Sequence, residues 1–241
     1  MAPSGYRVCS VCGQHVADAV SDYGAGRASG PAGGALRGGL PCRNSWCATP
    51  GRALEAVFSV GCYTGSLRRA IVGYKYGADL RWARPFGGLL HGFLGRHATW
   101  FEEYGVLCPV PSFTGPGARR SWGHVELVCA ELSRLAGGEW PVEALVSKTV
   151  ETEPMSARPH PVRCGIAHHV LSRALALPDV AAVEGRRIVV VDDVCASGQT
   201  LLAVARALRE GGAEEVAGLV LARAAWRHRR PAARPRHLPS P

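Results

Sequence analysis

The sequence predicts an α/β fold, a mostly parallel, Rossmann-like sheet flanked by helices, with a small cysteine-rich metal-binding module in front. Three observations predict it. From residue 53 onward, strand-like apolar runs alternate with segments of helical period, the pattern of a parallel α/β sheet. The run Ile188, Val189, Val190, Val191 is apolar without alternation, as suits a strand covered on both faces. Four cysteines, Cys9, Cys12, Cys42 and Cys47, stand in two close pairs near the start of the chain.

The elements follow in order. Residues 56–63 read as a strand and 66–74 as a helix, and 80–101 reads as a longer amphipathic helix interrupted by Pro85. A short apolar strand over 106–110 runs into Pro109, Val110, Pro111 and Ser112, whose prolines block further ladder or helix and force a tight loop. Arg119 and Arg120 precede a helix from about 123 to 135. Residues 154–161 form a proline-punctuated loop with Arg158 and Arg163 beside it. After the strand at 188–191, Leu201, Leu202, Ala205, Leu208 and Ala213 recur at roughly helical spacing. Residues 216–222 supply the last strand.

The chemistry concentrates at 188–200, IVVVDDVCASGQT. Asp192 and Asp193 fall at the carboxyl end of the buried strand, where open α/β sheets bind ligands. Ser197, Gly198, Gln199 and Thr200 then lie at a helix N-terminus, where free N–H groups and the helix dipole favour a phosphate. The carboxylates can accept bonds from two neighbouring ribose hydroxyls, while Ser197 and Thr200 can donate to a monophosphate and Gly198 lets backbone approach closely. This reads as a pocket for a phosphorylated ribose, and 5-phosphoribosyl 1-pyrophosphate (PRPP) fits better than a nucleoside triphosphate. A Walker B strand is a poor alternative, because the chain has no GxxxxGK[ST] and its lysines are Lys75 and Lys148. The GxGxx run beginning at Gly24 lies in Gly/Ala-rich coil with no strand before it, so it is a poor dinucleotide fingerprint. A purely structural acidic pair is the remaining alternative.

Composition bounds the rest. With 241 residues, 47% of them apolar, the chain suits one main domain plus an appendage. We expect a module over 1–52 with a flexible Gly/Ala insertion, a main domain over 53–224, and a disordered basic tail over 225–241. The formal charge of +9 is partly local, since Arg227, Arg229, Arg230, Arg234 and Arg236 lie in that Pro-rich tail. Such a tail can bind polyanions weakly or be a merely solvated end. No window approaches a membrane span and the first residues lack a signal-peptide stretch, so we expect a cytoplasmic protein without membrane insertion. Nine unevenly placed cysteines argue against a secreted disulfide framework.

Four thiolates in two close pairs suit a structural, tetrahedral zinc ion, which would substitute for a hydrophobic core in so small a module. Reduced, unpaired thiols are the alternative, and His15 reads by default as solvent-facing. Cys62, Cys108, Cys129 and Cys164 read as small core residues. Cys195 sits at the predicted helix N-terminus, where thiol pKa values fall, but is not expected to act as a nucleophile.

Segment 188–200 resembles the PRPP signature of type I phosphoribosyltransferases, an apolar strand followed by DDVxTTGxT, with Ala196 where Thr is usual and Gln199 where a small residue is common. The element order extends the resemblance to the competence-type ComF family, which joins a four-cysteine zinc module to such a domain. YKYGADL (74–80) is similar to its KYxGD stretch, CPVP (108–111) to its PVP loop near pyrophosphate, and RSWGHVEL (120–127) to its RGFNQAEL. Around 155–167, Met155 and Ile166 depart from the family pattern while Arg163 fits.

The resemblance implies that Asp192 and Asp193 hold the ribose hydroxyls, directly or through Mg²⁺, and that Ala196, Ser197, Gly198, Gln199 and Thr200 clasp the 5-phosphate. Pro109, Lys75, Arg120 and Arg163 fall to the pyrophosphate side. For each of these basic residues the plain alternative is a surface charge. The implied reaction displaces pyrophosphate from PRPP with a nitrogenous acceptor, in connection with DNA uptake. A non-catalytic PRPP- or nucleotide-sensing module that binds DNA or a helicase partner is the competing expectation.

Overall fold

The computed structural model describes residues 9, 11–13, 47, 52–152 and 170–224. Within these lie β1 (Val57–Cys62), α1 (Gly65–Gly77), a 3₁₀ turn (Leu80–Trp82), α2 (Ala83–Arg96), α3 (Ala98–Phe101), β2 (Val106–Pro109), α4 (His124–Ala136), β3 (Ser147–Lys148), β4 (Leu175–Ala176), β5 (Arg187–Cys195), α5 (Gln199–Glu210) and β6 (Glu215–Arg223). Strands β1, β6, β5 and β2, in that order, form one wholly parallel sheet. The short β3 and β4 pair antiparallel in a separate ribbon.

The unalternating IVVV run has the predicted cause. Ile188 and Val190 pack into one cluster with Leu201, Leu202, Ala205 and Leu208 of α5. Val189 and Val191 pack into the other, with Ile71 and Tyr74 of α1, Phe86 and Leu90 of α2, and Val128 and Leu132 of α4. A strand covered on both faces needs apolar side chains at consecutive positions.

Three local readings change. Pro85 does not interrupt its helix: it is the third residue of α2, in the first turn, where the missing N–H costs no intrahelical bond. The break comes at His97, whose N–H caps the carbonyls of Phe93 and Leu94. Strand β5 continues past Val191 to Cys195, so the acid pair lies inside the strand, because β6 stays in register beside it as far as Cys195 opposite Arg223. Strands β3 and β4 were not foreseen, since two residues carry no periodicity. Of the cysteines read as core, Cys108 and Cys129 are buried, Cys62 is exposed at the end of β1, and Cys164 lies outside the described residues.

Helices α2 and α4 cross closely at Gly87, where an added Cβ would lie 2.8 Å from the Glu131 Cβ and 2.9 Å from the Leu132 nitrogen. Both contacts are with parts that cannot swing away. Gly87→Val should therefore destabilise the protein by roughly 1–3 kcal/mol, read as a lower urea midpoint at unchanged slope. An unchanged midpoint would refute the close crossing.

Candidate functional site

The site begins where the sheet narrows. The Val110 N–H donates to the Val191 carbonyl at 2.8 Å, and β2 then leaves the sheet for the proline loop. Beyond that point β5 keeps β6 as a neighbour but has lost β2, so Asp192 and Asp193 lie where one edge of β5 no longer pairs with β2. Both acids are buried, at 8% and 3% exposure.

Asp193 is the more heavily partnered. The Lys75 Nζ donates to its Oδ2 at 2.6 Å and its Oδ1 at 2.9 Å, the Val194 N–H donates to Oδ1 at 2.7 Å, and His124 Nε2 lies 3.3 Å from Oδ2. Burial pushes its pKa up, but the Lys75 charge and the His124 contact outweigh burial and hold the carboxyl well below the usual range. Asp192 goes the other way: burial first, and the Asp193 charge second, raise it. Its Oδ1 accepts the Asp193 N–H at 2.8 Å. Burial also opposes the Lys75 charge, yet Asp193 and Asp192 keep that pKa above its ordinary value. The pair thus splits into one firmly ionised acid and one that retains its proton more readily.

Local sequence explains how these groups arrive. Ala70, Ile71 and Tyr74 are the buried face of α1. The Tyr74 hydroxyl donates to the His124 carbonyl at 2.6 Å and its ring meets Phe86 edge-on at 5.5 Å. That contact fixes the rotation of α1 and sends the next residue, Lys75, to Asp193, 118 residues away. At the start of α4, Glu126 accepts the Ser112 N–H at 2.7 Å and its hydroxyl at 3.2 Å, and the Ser112 oxygen lies 3.3 Å from His124 Nδ1. The proline loop is thereby tied to the helix that carries His124.

After the acids, Gly198 takes φ +81° as N-cap of α5, and no side chain caps that helix. The expected helix start at Ser197 to Thr200 is therefore met, with its first N–H groups available to an anion. Thr200 also lines a small cavity with Val110, Pro111, Lys148, Leu171, Leu175 and Val204. Burial lowers the Lys148 pKa, Glu151 opposes that shift, and Arg119 and Arg120 add to it. Arg120 has a buried Nη1 without a hydrogen-bond partner among the described residues. Cys195 is buried, and burial pushes its thiol up to about 11, with Arg223 pulling it down and Asp192 and Cys12 adding to the rise.

Arg223, at the end of β6, is 1% exposed. Its Nε donates to the Cys12 carbonyl at 2.9 Å, and its Nη1 donates to the Cys195 carbonyl at 2.5 Å and to the Ala196 carbonyl. It joins the cysteine knuckle to the first residues of the loop between β5 and α5.

In the knuckle, Cys9, Cys12 and Cys47 place their sulfurs within 4.8 Å of one another. Cys9 and Cys47 Sγ are 3.9 Å apart, close to the ~3.8 Å expected between two sulfurs bound tetrahedrally at about 2.3 Å from zinc. Contacts with Cys12 and Cys47 draw the Cys9 pKa far down against the effect of burial. Gly13 closes the turn at φ +64°, where a Cβ would strike the Val57 carbonyl at 2.7 Å. The Val57 N–H in turn donates to the Val11 carbonyl at 2.7 Å. The knuckle is thus docked on β1, and Cys9 and Cys12 belong to the same apolar cluster as α5.

Of the residues the sequence singled out, Asp192, Asp193 and Lys75 come into direct contact, and Cys9, Cys12 and Cys47 converge. Pro109 ends β2, and Ala196 to Thr200 form the loop and first turn of α5. Arg163 and Cys42 lie outside the described residues. The plain surface-charge alternative for Lys75 is set aside, since it meets a buried carboxylate. His124, Ser112, Lys148 and Arg223 were missed. Glu126, an acid in the first turn of a predicted helix, carried a signal that could have flagged its loop-tying role; Arg223, directly after the apolar run 216–222, was readable as a cation in need of partners.

The phosphoribosyl transferase domain profile matches residues 146–239. The chain is 26% identical over 220 residues to the DNA utilization protein YhgH of Salmonella typhimurium, covering 90% of each chain. It is 30% identical over 128 residues to the Escherichia coli (strain K12) protein of the same name, covering 53% of each. A phosphoribosylpyrophosphate synthetase from Mycobacterium smegmatis overlaps 57% of this chain and 33% of its own, at 20% identity and a TM-score of 0.34. No helix among the described residues is long and apolar enough to cross a membrane.

The split acid pair makes a signed pH prediction. Asp192, raised on folding, destabilises the ligand-free protein progressively as pH rises above the unfolded carboxylate range, about 4; Asp193, lowered on folding, loses its contribution as pH falls below that range. Asp192→Asn should therefore raise the urea midpoint of ligand-free protein at pH 8 and much less at pH 5. Equal effects at both pH values would contradict the assignment.

Proposed function

We propose that the chain, whose residues 146–239 match the phosphoribosyl transferase domain, is a ComF-type protein that binds PRPP with Mg²⁺ and displaces pyrophosphate with a nitrogenous acceptor. The single observation carrying this reading is the buried acid pair near the end of β5, beyond its pairing with β2 and shortly ahead of a loop and a helix N-terminus without a side-chain cap. In this reading Asp193, held ionised by Lys75 and His124, accepts a ribose hydroxyl bond, and Asp192 accepts its neighbour's. The N–H groups of Ser197 to Thr200 and the two hydroxyls clasp the 5-phosphate.

Lys75 and Arg120 stand on the pyrophosphate side with the proline loop after Pro109, and Arg163 joins them as a candidate. Cations placed there stabilise charge that develops as pyrophosphate departs. The hard oxygen donors of Asp192 and Asp193 suit Mg²⁺ carried in with PRPP, and that ion would neutralise phosphate charge. A small cavity between the β3–β4 ribbon, the proline loop and α5 has Lys148 and Thr200 at its wall. The names of the relatives support a role in DNA utilization. We assign the knuckle to structural zinc, held by Cys9, Cys12 and Cys47 with Cys42 as fourth ligand.

Asp193→Asn removes a charge-assisted acceptor. It should weaken Mg²⁺-PRPP binding by about ten- to a hundred-fold, measured by calorimetry on variant protein with a native circular dichroism spectrum. Unchanged affinity would remove Asp193 from the site. PRPP binding without pyrophosphate release across a panel of bases would instead favour a sensing module.

For zinc, elemental analysis of the purified protein should find about one ion per chain, and Cys9→Ser should lose it. Full retention in that variant would exclude Cys9 as a ligand.

A further inference from the structure

Arg223 is a fully buried cation, and among the described residues no carboxylate pairs with it. Its contacts are three carbonyl oxygens, one from Cys12 in the knuckle and two from Cys195 and Ala196 at the mouth of the phosphate loop. Its Nη2 is buried without a hydrogen-bond partner. A guanidinium so placed is costly unless charge of the opposite sign lies near. The knuckle provides the candidate: three thiolates on a divalent ion leave one net negative charge and four leave two, and Cys12 is both a member of the sulfur cluster and the residue whose carbonyl Arg223 holds.

We propose that Arg223 is a positioning residue that makes the geometry of the phosphate loop depend on metal occupancy of the cysteine knuckle. The loop receives two of its carbonyl anchors from Arg223, and Arg223 receives its third anchor and its counter-charge from the knuckle. The planar fork matters as well as the charge, because the Nε and Nη1 bonds point to two different chain segments at once. Metal bound at the knuckle fixes the Cys12 carbonyl, the carbonyl fixes the guanidinium, and the guanidinium fixes Cys195 and Ala196 immediately before Ser197. By linkage, PRPP in the loop must hold the metal more tightly by the same factor.

This rests on the PRPP reading above, and the experiment separates the two. The full chain is titrated with Mg²⁺-PRPP by calorimetry, zinc-loaded and chelator-stripped, with circular dichroism on both forms. Zinc release to a colorimetric chelator is timed with and without PRPP. The expectation is that stripping weakens PRPP binding by roughly five- to a hundred-fold, that saturating PRPP slows zinc release, and that both effects shrink to near unity in Arg223→Lys, which keeps the charge but loses the fork. Arg223→Met serves as a second variant and should release zinc faster even without PRPP. Equal PRPP affinity in folded loaded and stripped protein would overturn the coupling and leave the PRPP site standing. Failure of loaded wild-type protein to bind PRPP would overturn the PRPP reading and the coupling with it. Zinc release unchanged in both Arg223 variants would overturn the knuckle contact itself.

Discussion

The charge on Asp193, kept inside the protein, is the constraint around which the site is arranged. A lone buried carboxylate would be costly, so the fold brings it a lysine, an imidazole and a backbone N–H from three different segments. Each partner imposes a further requirement. Lys75 reaches the acid only while Tyr74 fixes the rotation of α1, and Tyr74 is fixed in part by its bond to the first residue of α4. That first residue is His124, so the helix that anchors α1 also delivers the imidazole.

The same helix start holds the proline loop through Glu126 and Ser112. Loop and acid pair are therefore not placed independently: both are referenced to the N-terminus of α4. The relative placement of the two is set by packed elements rather than by side-chain choice. On the opposite side of the sheet, α5 starts directly after the loop that follows the acids, while its apolar face fills the cluster that also takes in Cys9 and Cys12. The knuckle is continuous with the core of the domain, so a metal held there stabilises more than its own turn.

The sequence by itself determined the architecture and the chemical core of the site. The IVVV run reads as a strand buried on both faces, the glycine-containing loop as the lead into a helix, and the two carboxylates stand between them. Those are local signals, carried by periodicity and residue type within a dozen positions. Strand and helix ends were less legible: β5 runs on because β6 keeps pairing with it, and Pro85 is harmless because the helix happens to start just before it. Neither fact is written in the segment concerned.

Only the tertiary structure decided which distant residues complete the site. Lys75 and Arg223 look alike in sequence, as cations beside apolar neighbours, yet one meets a buried carboxylate and the other meets three carbonyls. Their roles follow from burial, which makes each charge seek whatever partner the packing brings within reach, and that packing is a property of elements more than a hundred residues apart. His124 likewise carries no local mark of its place beside Asp193. What was legible, then, was everything set by neighbours along the chain, and what was not was everything set by neighbours across the sheet.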